Sequence, residues 1–170
     1  MKIKPNAHSF LISHSLLPAV LNGLLNGVLS IYAHPWEVEV KMWGQDAYGI
    51  DLVLTAFLIP AITWLIVRAL ITKSVDGSGS LSICLHGASR LAIRLSASRT
   101  LGSISWGACS VLLFGLPTLV GLQLIGAPKM RGITYAIFKG VYSATISALL
   151  QPMMACARIQ FLHTMGGKSP

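Results

Sequence analysis

Apolar residues in this chain fall into long runs broken only by single polar positions, and four such runs stand out. The first extends from about Phe10 to Tyr32. The second, DLVLTAFLIPAITWLIVRAL, begins at Asp51 and carries Arg68 near its far end. The third extends from about Ile104 to Ala127, and the fourth from about Ile133 to Met154, interrupted only by Lys139. An α-helix rises about 1.5 Å per residue, so about 20 residues cross the ~30 Å hydrocarbon core of a bilayer. Any one run suits a buried helix of a soluble protein, but four within 170 residues argue for lipid as the main solvent. The pattern predicts helices over about 10–32, 50–71, 104–127 and 133–154, in one membrane domain covering 1–170 with an inner loop over 72–103. Lys2 and Lys4 precede the first run, as they would in a signal peptide. That run is longer than a signal h-region and no small-residue cleavage site follows near Tyr32, so it is expected to remain a helix.

Within the first run, PAVLNGLLNG (18–27) holds two Asn-Gly pairs, which in a soluble chain signal a tight hairpin turn. A turn at this depth would leave backbone groups unpaired in lipid, so a helix is expected instead. On a helix Ala19, Gly23 and Gly27 fall at i, i+4 and i+8, a ridge of small residues that lets another helix approach closely. Asn22 and Asn26 lie one residue back and need a partner helix or water. Packing is the plainer reading of this motif, and a polar pathway or ligand site is the functional one.

The fourth run repeats the pattern. Gly132, Ala136, Gly140, Ala144 and Ala148 make a second ridge of small residues, and Lys139, Ser143, Ser147 and Gln151 make a polar stripe beside it. Tyr135, Phe138 and Tyr142 are expected on the far side, toward lipid. Lys139 sits about 10 Å down the helix from Gly132. It either snorkels to the outer surface or pairs with Asp51 at the outer end of the second run. Prolines 18, 60, 117 and 152 place one proline in each run, which suggests kinks around a cavity.

The connections add amphipathic pieces. In AHPWEVEVKMWGQDAYG, Pro35 suits a helix start and Gly44 a helix stop, and Trp36, Val40 and Trp43 then share a face. The expectation is a short interfacial helix with an aromatic belt; the EVEV alternation also permits a strand, but one without a visible partner. Residues 73–80, KSVDGSGS, read as a flexible linker. Beyond it, in 81–97, apolar positions recur at helical spacing while His86, Arg90 and Arg94 form a basic stripe, followed by Arg99. An apolar face opposite a basic one describes a helix lying on a leaflet of anionic lipid headgroups, or a connector packed on the helix ends.

Composition agrees with lipid as solvent: 54% of residues are hydrophobic and 11% charged, against about 25% charged in ordinary soluble domains. The net charge of +8 marks inner-leaflet contacts in such a chain rather than nucleic acid. With the N-terminus in the cytoplasm, the inner side holds nine basic residues (2, 4, 68, 73, 90, 94, 99, 158 and 168) and the outer side three (41, 129 and 131). That asymmetry puts both termini inside. Cys84, Cys109 and Cys156 lack metal-ligand spacing. No HExxH, GxSxG or P-loop pattern appears, and no pair of histidines faces across the bundle as haem would require. Neither a catalytic residue, a metal nor a cofactor is therefore expected.

LPAVLNGLLNG (17–27) and LPTLVGLQLIG (116–126) share Leu-Pro and a Gly nine residues after the proline, and runs two and four each carry a proline followed by an arginine. These matches suggest a parallel duplication of a two-helix unit. DLVLTAFLIPAITWLIV (51–67) and FKGVYSATISALLQP (138–152) resemble segments of small, uncharacterised bacterial four-helix inner-membrane proteins. The resemblance covers about half the chain, implies that fold and the bacterial inner membrane, and carries over no site residue. The sequence thus points to an all-α integral membrane protein with four transmembrane helices and a cytoplasmic amphipathic interfacial helix. Its expected role is helix packing, as a homo-oligomer or as a subunit with other membrane proteins. The alternative is a transporter or channel for a small solute or ion, using Asn22, Asn26, Asp51, Lys139 and Gln151. A membrane enzyme acting on lipid has little support.

Overall fold

The apolar runs fold as helices, which pair every interior backbone N–H and C=O within the segment. A computed structural model describes residues 16–45, 47–74 and 98–166. In chain order the elements are α1 (Leu17–Ala33), β1 (Glu39–Lys41), α2 (Tyr48–Ser74), α3 (Arg99–Ser110), a π-helical stretch (Val111–Gly115), α4 (Leu116–Leu124), β2 (Lys129–Arg131) and α5 (Gly132–Gly166). Three helices are long and apolar enough to cross a membrane: α2, the continuous rod Arg99–Leu124, and α5. The 17 residues of α1 fall short of that length. The segment 81–97, with His86, Arg90 and Arg94, lies outside the described residues, as do residues 10–15 of the first run.

The helices pack in a row, α1 on α5, α5 on α2, and α2 on α3. Consecutive α1 and α2 thus meet only sparsely, each resting instead on α5. Much of the helices' exposed surface is apolar. On α2, Ile50, Leu54, Leu58, Ile62, Ile66 and Leu70 form an exposed stripe, while Leu52, Ala56, Trp64 and Val67 are buried. On α1 the leucines and valines are exposed, and the buried positions are Ala19 and Ser30.

Small residues set the helix contacts. The ridge Ala19–Gly23–Gly27 of α1 lies on the ridge Ala136–Gly140–Ala144 of α5. A Cβ added at Gly23 would stand 2.9 Å from the Gly140 carbonyl oxygen, and one added at Gly140 would stand 3.0 Å from that of Gly23. The two ridges read from the sequence are therefore spent on each other within one chain. Gly132 has a different neighbour, the carbonyls of His34 and Pro35, and Ala148 is half-buried. A third close approach was not anticipated. Gly107 of α3 lies on Phe57 of α2, where an added Cβ would meet the ring at 2.8 Å. Beside it Ser103 Oγ donates to the Ala61 carbonyl at 2.8 Å.

Several ends differ from expectation. The third helix begins at Arg99, not near 104, because Ser98 caps it: its Oγ accepts the Leu101 N–H at 3.2 Å. Arg99 is exposed in that first turn. The fourth helix continues past Pro152 to Gly166, since a proline in a membrane helix need not end it. Before Pro117 the rod widens into the π-helical stretch, with Leu116 N–H reaching back to the Val111 carbonyl; the wider turn accommodates a residue that cannot donate. α4 stops at Gly126, at φ +69°, where Ala127 N–H bonds Leu122 O at 3.0 Å and Gly126 N–H bonds Gln123 O at 3.2 Å, a Schellman cap.

The expected interfacial helix after Pro35 is instead a strand. β1 pairs antiparallel with β2 in the register Glu39↔Arg131, Val40↔Met130, Lys41↔Lys129. Met42 N–H to Pro128 O (2.8 Å) and Gly132 N–H to Val38 O (2.9 Å) extend the ladder. The partner strand lies in the connection between α4 and α5, so nothing near EVEV in sequence announced it. The alternation then does what a ribbon needs: Val40 is buried and Glu39 and Lys41 are exposed.

Candidate functional site

The ribbon and the start of α2 bring charged residues over the N-terminal end of α5. Asp51 lies in the first turn of α2, where the helix dipole favours a carboxylate. Tyr135 and Lys139 sit at i and i+4 on α5, so they share a face. Both turn to Asp51: Lys139 Nζ donates to Asp51 Oδ2 at 2.6 Å, and the Tyr135 hydroxyl donates to the same oxygen. Lys139 is 8% exposed and Tyr135 fully buried, while the Asp51 side chain keeps 34% of its surface. Lys139 therefore does not snorkel. Asp51 Oδ1 has no protein partner among the described residues.

Aromatic contacts hold the cluster in place. The Tyr135 ring lies 5.5 Å from both the His34 ring, edge-on, and the Tyr48 ring. The Tyr48 hydroxyl donates to the Ala127 carbonyl, which ties the start of α2 to the end of α4. Tyr135 was expected to face lipid. The spacing that corrects it was visible, since Tyr135 precedes Lys139 by four residues and must lie on the lysine's own face. Tyr142 is likewise buried, its ring stacked on Phe138 at 6.1 Å.

Above this cluster opens a cleft of about 780 Å³. The end of α1 supplies Leu29 and Ala33, the ribbon supplies Val38 to Lys41, and α2 supplies Ile50 and Leu54; Asp51 and Lys139 form its polar base. The cleft exists because α1 and α2 lean on α5 rather than on each other.

The other polar candidates lie deeper, along the α1–α5 seam. Asn22 Nδ2 donates to Ser147 Oγ at 2.7 Å, and Asn26 Nδ2 turns back to the Asn22 carbonyl at 2.9 Å. Ser143 and Ser147 are buried, and so is Ser30 of α1. The buried oxygens Ser30 Oγ, Ser143 Oγ and Gln151 Oε1 have no hydrogen-bond partner among the described residues. The sequence candidates thus separate: Asp51 with Lys139 at the cleft, Asn22 and Asn26 on the α1–α5 seam, and Gln151 further along α5. Ser30 had not been singled out, although it continues the i, i+4 spacing of Asn22 and Asn26.

The fold and site together define a helical protein with three helices of membrane-spanning length and composition and a charge-paired cleft at one end. No family model, curated protein or solved structure matches the chain.

Proposed function

We propose that the chain is a four-pass transporter for a small polar solute, with the cleft over Asp51 and Lys139 as its outward-facing recognition site. α1 would supply the fourth span. The observation that carries this reading is the buried charge pair at the base of an open cleft. An intramembrane ionisable pair marks a substrate or ion pathway more often than a packing device. The seam supports it, because polar positions continue inward from Lys139 through Ser143, Ser147 and Gln151. Among the described residues, the buried oxygens Ser30 Oγ, Ser143 Oγ and Gln151 Oε1 keep hydrogen-bonding capacity for water or solute. The basic asymmetry favours both termini on the cytoplasmic side, and the resemblance of 51–67 and 138–152 favours a bacterial inner membrane. Whether the two halves descend from one two-helix unit bears on history rather than on this mechanism.

Substituted-cysteine accessibility in proteoliposomes tests the pathway. Ser143→Cys and Ser147→Cys should react with a small impermeant thiol reagent well above the wild-type background, and Val141→Cys, exposed on the outer surface of α5, should not. Ser143→Cys no more reactive than Val141→Cys would refute it.

A second reading, assembly into a homo-oligomer or a larger membrane complex, is favoured by the row of helices. Among the described helices α1 and α3 each have one principal neighbour, which leaves each a flank that another subunit could take. The small-residue ridges do not add to this reading, since α1 and α5 use them on each other. Crosslinking across the two flanks in native membranes separates a monomer from an assembly.

A further inference from the structure

Among its described residues the cleft carries balanced charge, yet two charged groups of opposite sign keep bonding capacity. Four charged residues among those described line it: Glu39, Lys41, Asp51 and Lys139. Glu39 is held by Lys129 at 3.4 Å, outside the cleft, and Lys139 is held by Asp51 Oδ2 at 2.6 Å. What stays open toward the described residues is Asp51 Oδ1 at the base and the exposed Lys41 ammonium on the ribbon. The walls between them are apolar, with Leu29, Ile50 and Leu54.

We infer that the cleft takes a zwitterion carrying a primary ammonium and an acid anion on a body with apolar surface. The inference rests on the solute-recognition reading above and names its substrate class. The ammonium donates to Asp51 Oδ1, whose other oxygen is already saturated by Lys139 and Tyr135, and the anion meets Lys41. A ligand with one charge satisfies one group and leaves the other open, while adding net charge to a balanced, partly desolvated site. A quaternary ammonium has no N–H and cannot make the bond to Oδ1. The same chemistry occurs in a free aliphatic amino acid and in the headgroup of an ethanolamine phospholipid. Both can reach a cleft walled by exposed Leu29 and Leu54.

Thermal unfolding of the full-length protein in detergent decides the matter, because a ligand that binds only the folded state raises the midpoint. Two sets of probes are added. The first is leucine, isoamylamine and isovalerate; the second is dioleoyl phosphatidylethanolamine, phosphatidylcholine and phosphatidylglycerol. Leucine or phosphatidylethanolamine should raise the midpoint, the remaining four probes should not, and whichever of the two acts identifies the source. Lys41→Gln should weaken the effect at least tenfold in ligand concentration. The doubly substituted Asp51→Asn/Lys139→Gln protein, which leaves no lone buried charge, should lose it while keeping its own melting transition. Equal stabilisation by isoamylamine, isovalerate or phosphatidylglycerol would overturn the zwitterion, equal stabilisation by phosphatidylcholine would overturn the primary ammonium, and either would leave solute recognition standing. No stabilisation by any of the six overturns the zwitterion as well. The accessibility of Ser143→Cys tests the pathway independently of either result.

Discussion

Replacing Gly23 by alanine adds one methyl group where the structure has no room for it. The new Cβ would lie 2.9 Å from the Gly140 carbonyl oxygen and 3.0 Å from Ala144 Cβ, whereas ordinary contact begins near 3.4 Å. Neither obstacle can turn aside, since one is backbone and the other a side chain without rotamers. α1 must therefore retreat by 3.4 − 2.9 = 0.5 Å, which forfeits a quarter or more of the dispersion attraction along the contact. Overpacking of this kind costs about 1–3 kcal/mol, offset by about 1 kcal/mol from the better helix propensity of alanine. The expected outcome is a net loss near ~1 kcal/mol for Gly23→Ala, and beyond ~3 kcal/mol for Gly23→Leu. Two other glycines calibrate the result. A Cβ at Gly27 would sit 3.4 Å from its nearest obstacle, the Ala136 carbonyl oxygen, and one at Gly121 would meet nothing within 4 Å. Gly27→Ala should therefore be close to neutral, and Gly121→Ala should gain up to ~1 kcal/mol. The assay is unfolding in mixed micelles by detergent titration, followed by tryptophan fluorescence. If Gly23→Ala proves as stable as Gly121→Ala, the α1–α5 contact is not the close approach described.

The charge pair should respond asymmetrically in the same assay. Asp51→Asn leaves a buried Lys139 uncompensated and should cost about 3–5 kcal/mol, whereas Lys139→Gln leaves a carboxylate that still reaches the cleft and should cost about 1–3 kcal/mol. The double variant Asp51→Asn/Lys139→Gln should recover most of the loss; costs that simply add would show that the two groups do not interact. Asn22→Ala and Ser147→Ala should each cost about 0.6 kcal/mol, and their combination no more than either alone, because they break one bond. A peptide of residues 81–97 should bind anionic vesicles and be released by salt; equal binding to neutral vesicles would remove the electrostatic part of that expectation.

The helices were legible because apolar length in lipid is a one-dimensional signal. Their ends were less so: Ser98 was a readable cap that was passed over, and the fourth helix was ended near Met154 although its apolar residues continue and it runs to Gly166. The docking of α1 on α5 was half legible. Each ridge could be read from its spacing, but not that each was the other's partner. Asp51 and Lys139 were proposed as a pair against an equal alternative, and the geometry joins them; Tyr135, one turn from Lys139, was missed because aromatic residues on a membrane helix were assigned to lipid as a group. The cleft was not legible at all. It depends on β1 meeting β2, and that pairing brings together connections 88 residues apart, as Lys41 and Lys129 show. No local pattern encodes such a meeting.

The position of α5 also bears on how the molecule is made. α1 is the first of the described helices to leave the ribosome and α5 the last, yet α1 finds its glycine seat, and Asn22 its serine, only on α5. Until α5 is made, the asparagine face of α1 lacks the serine it meets in the fold. Docking of α1 is thus gated by synthesis of α5, and a product truncated before Gly132 would leave Asn22 without that partner.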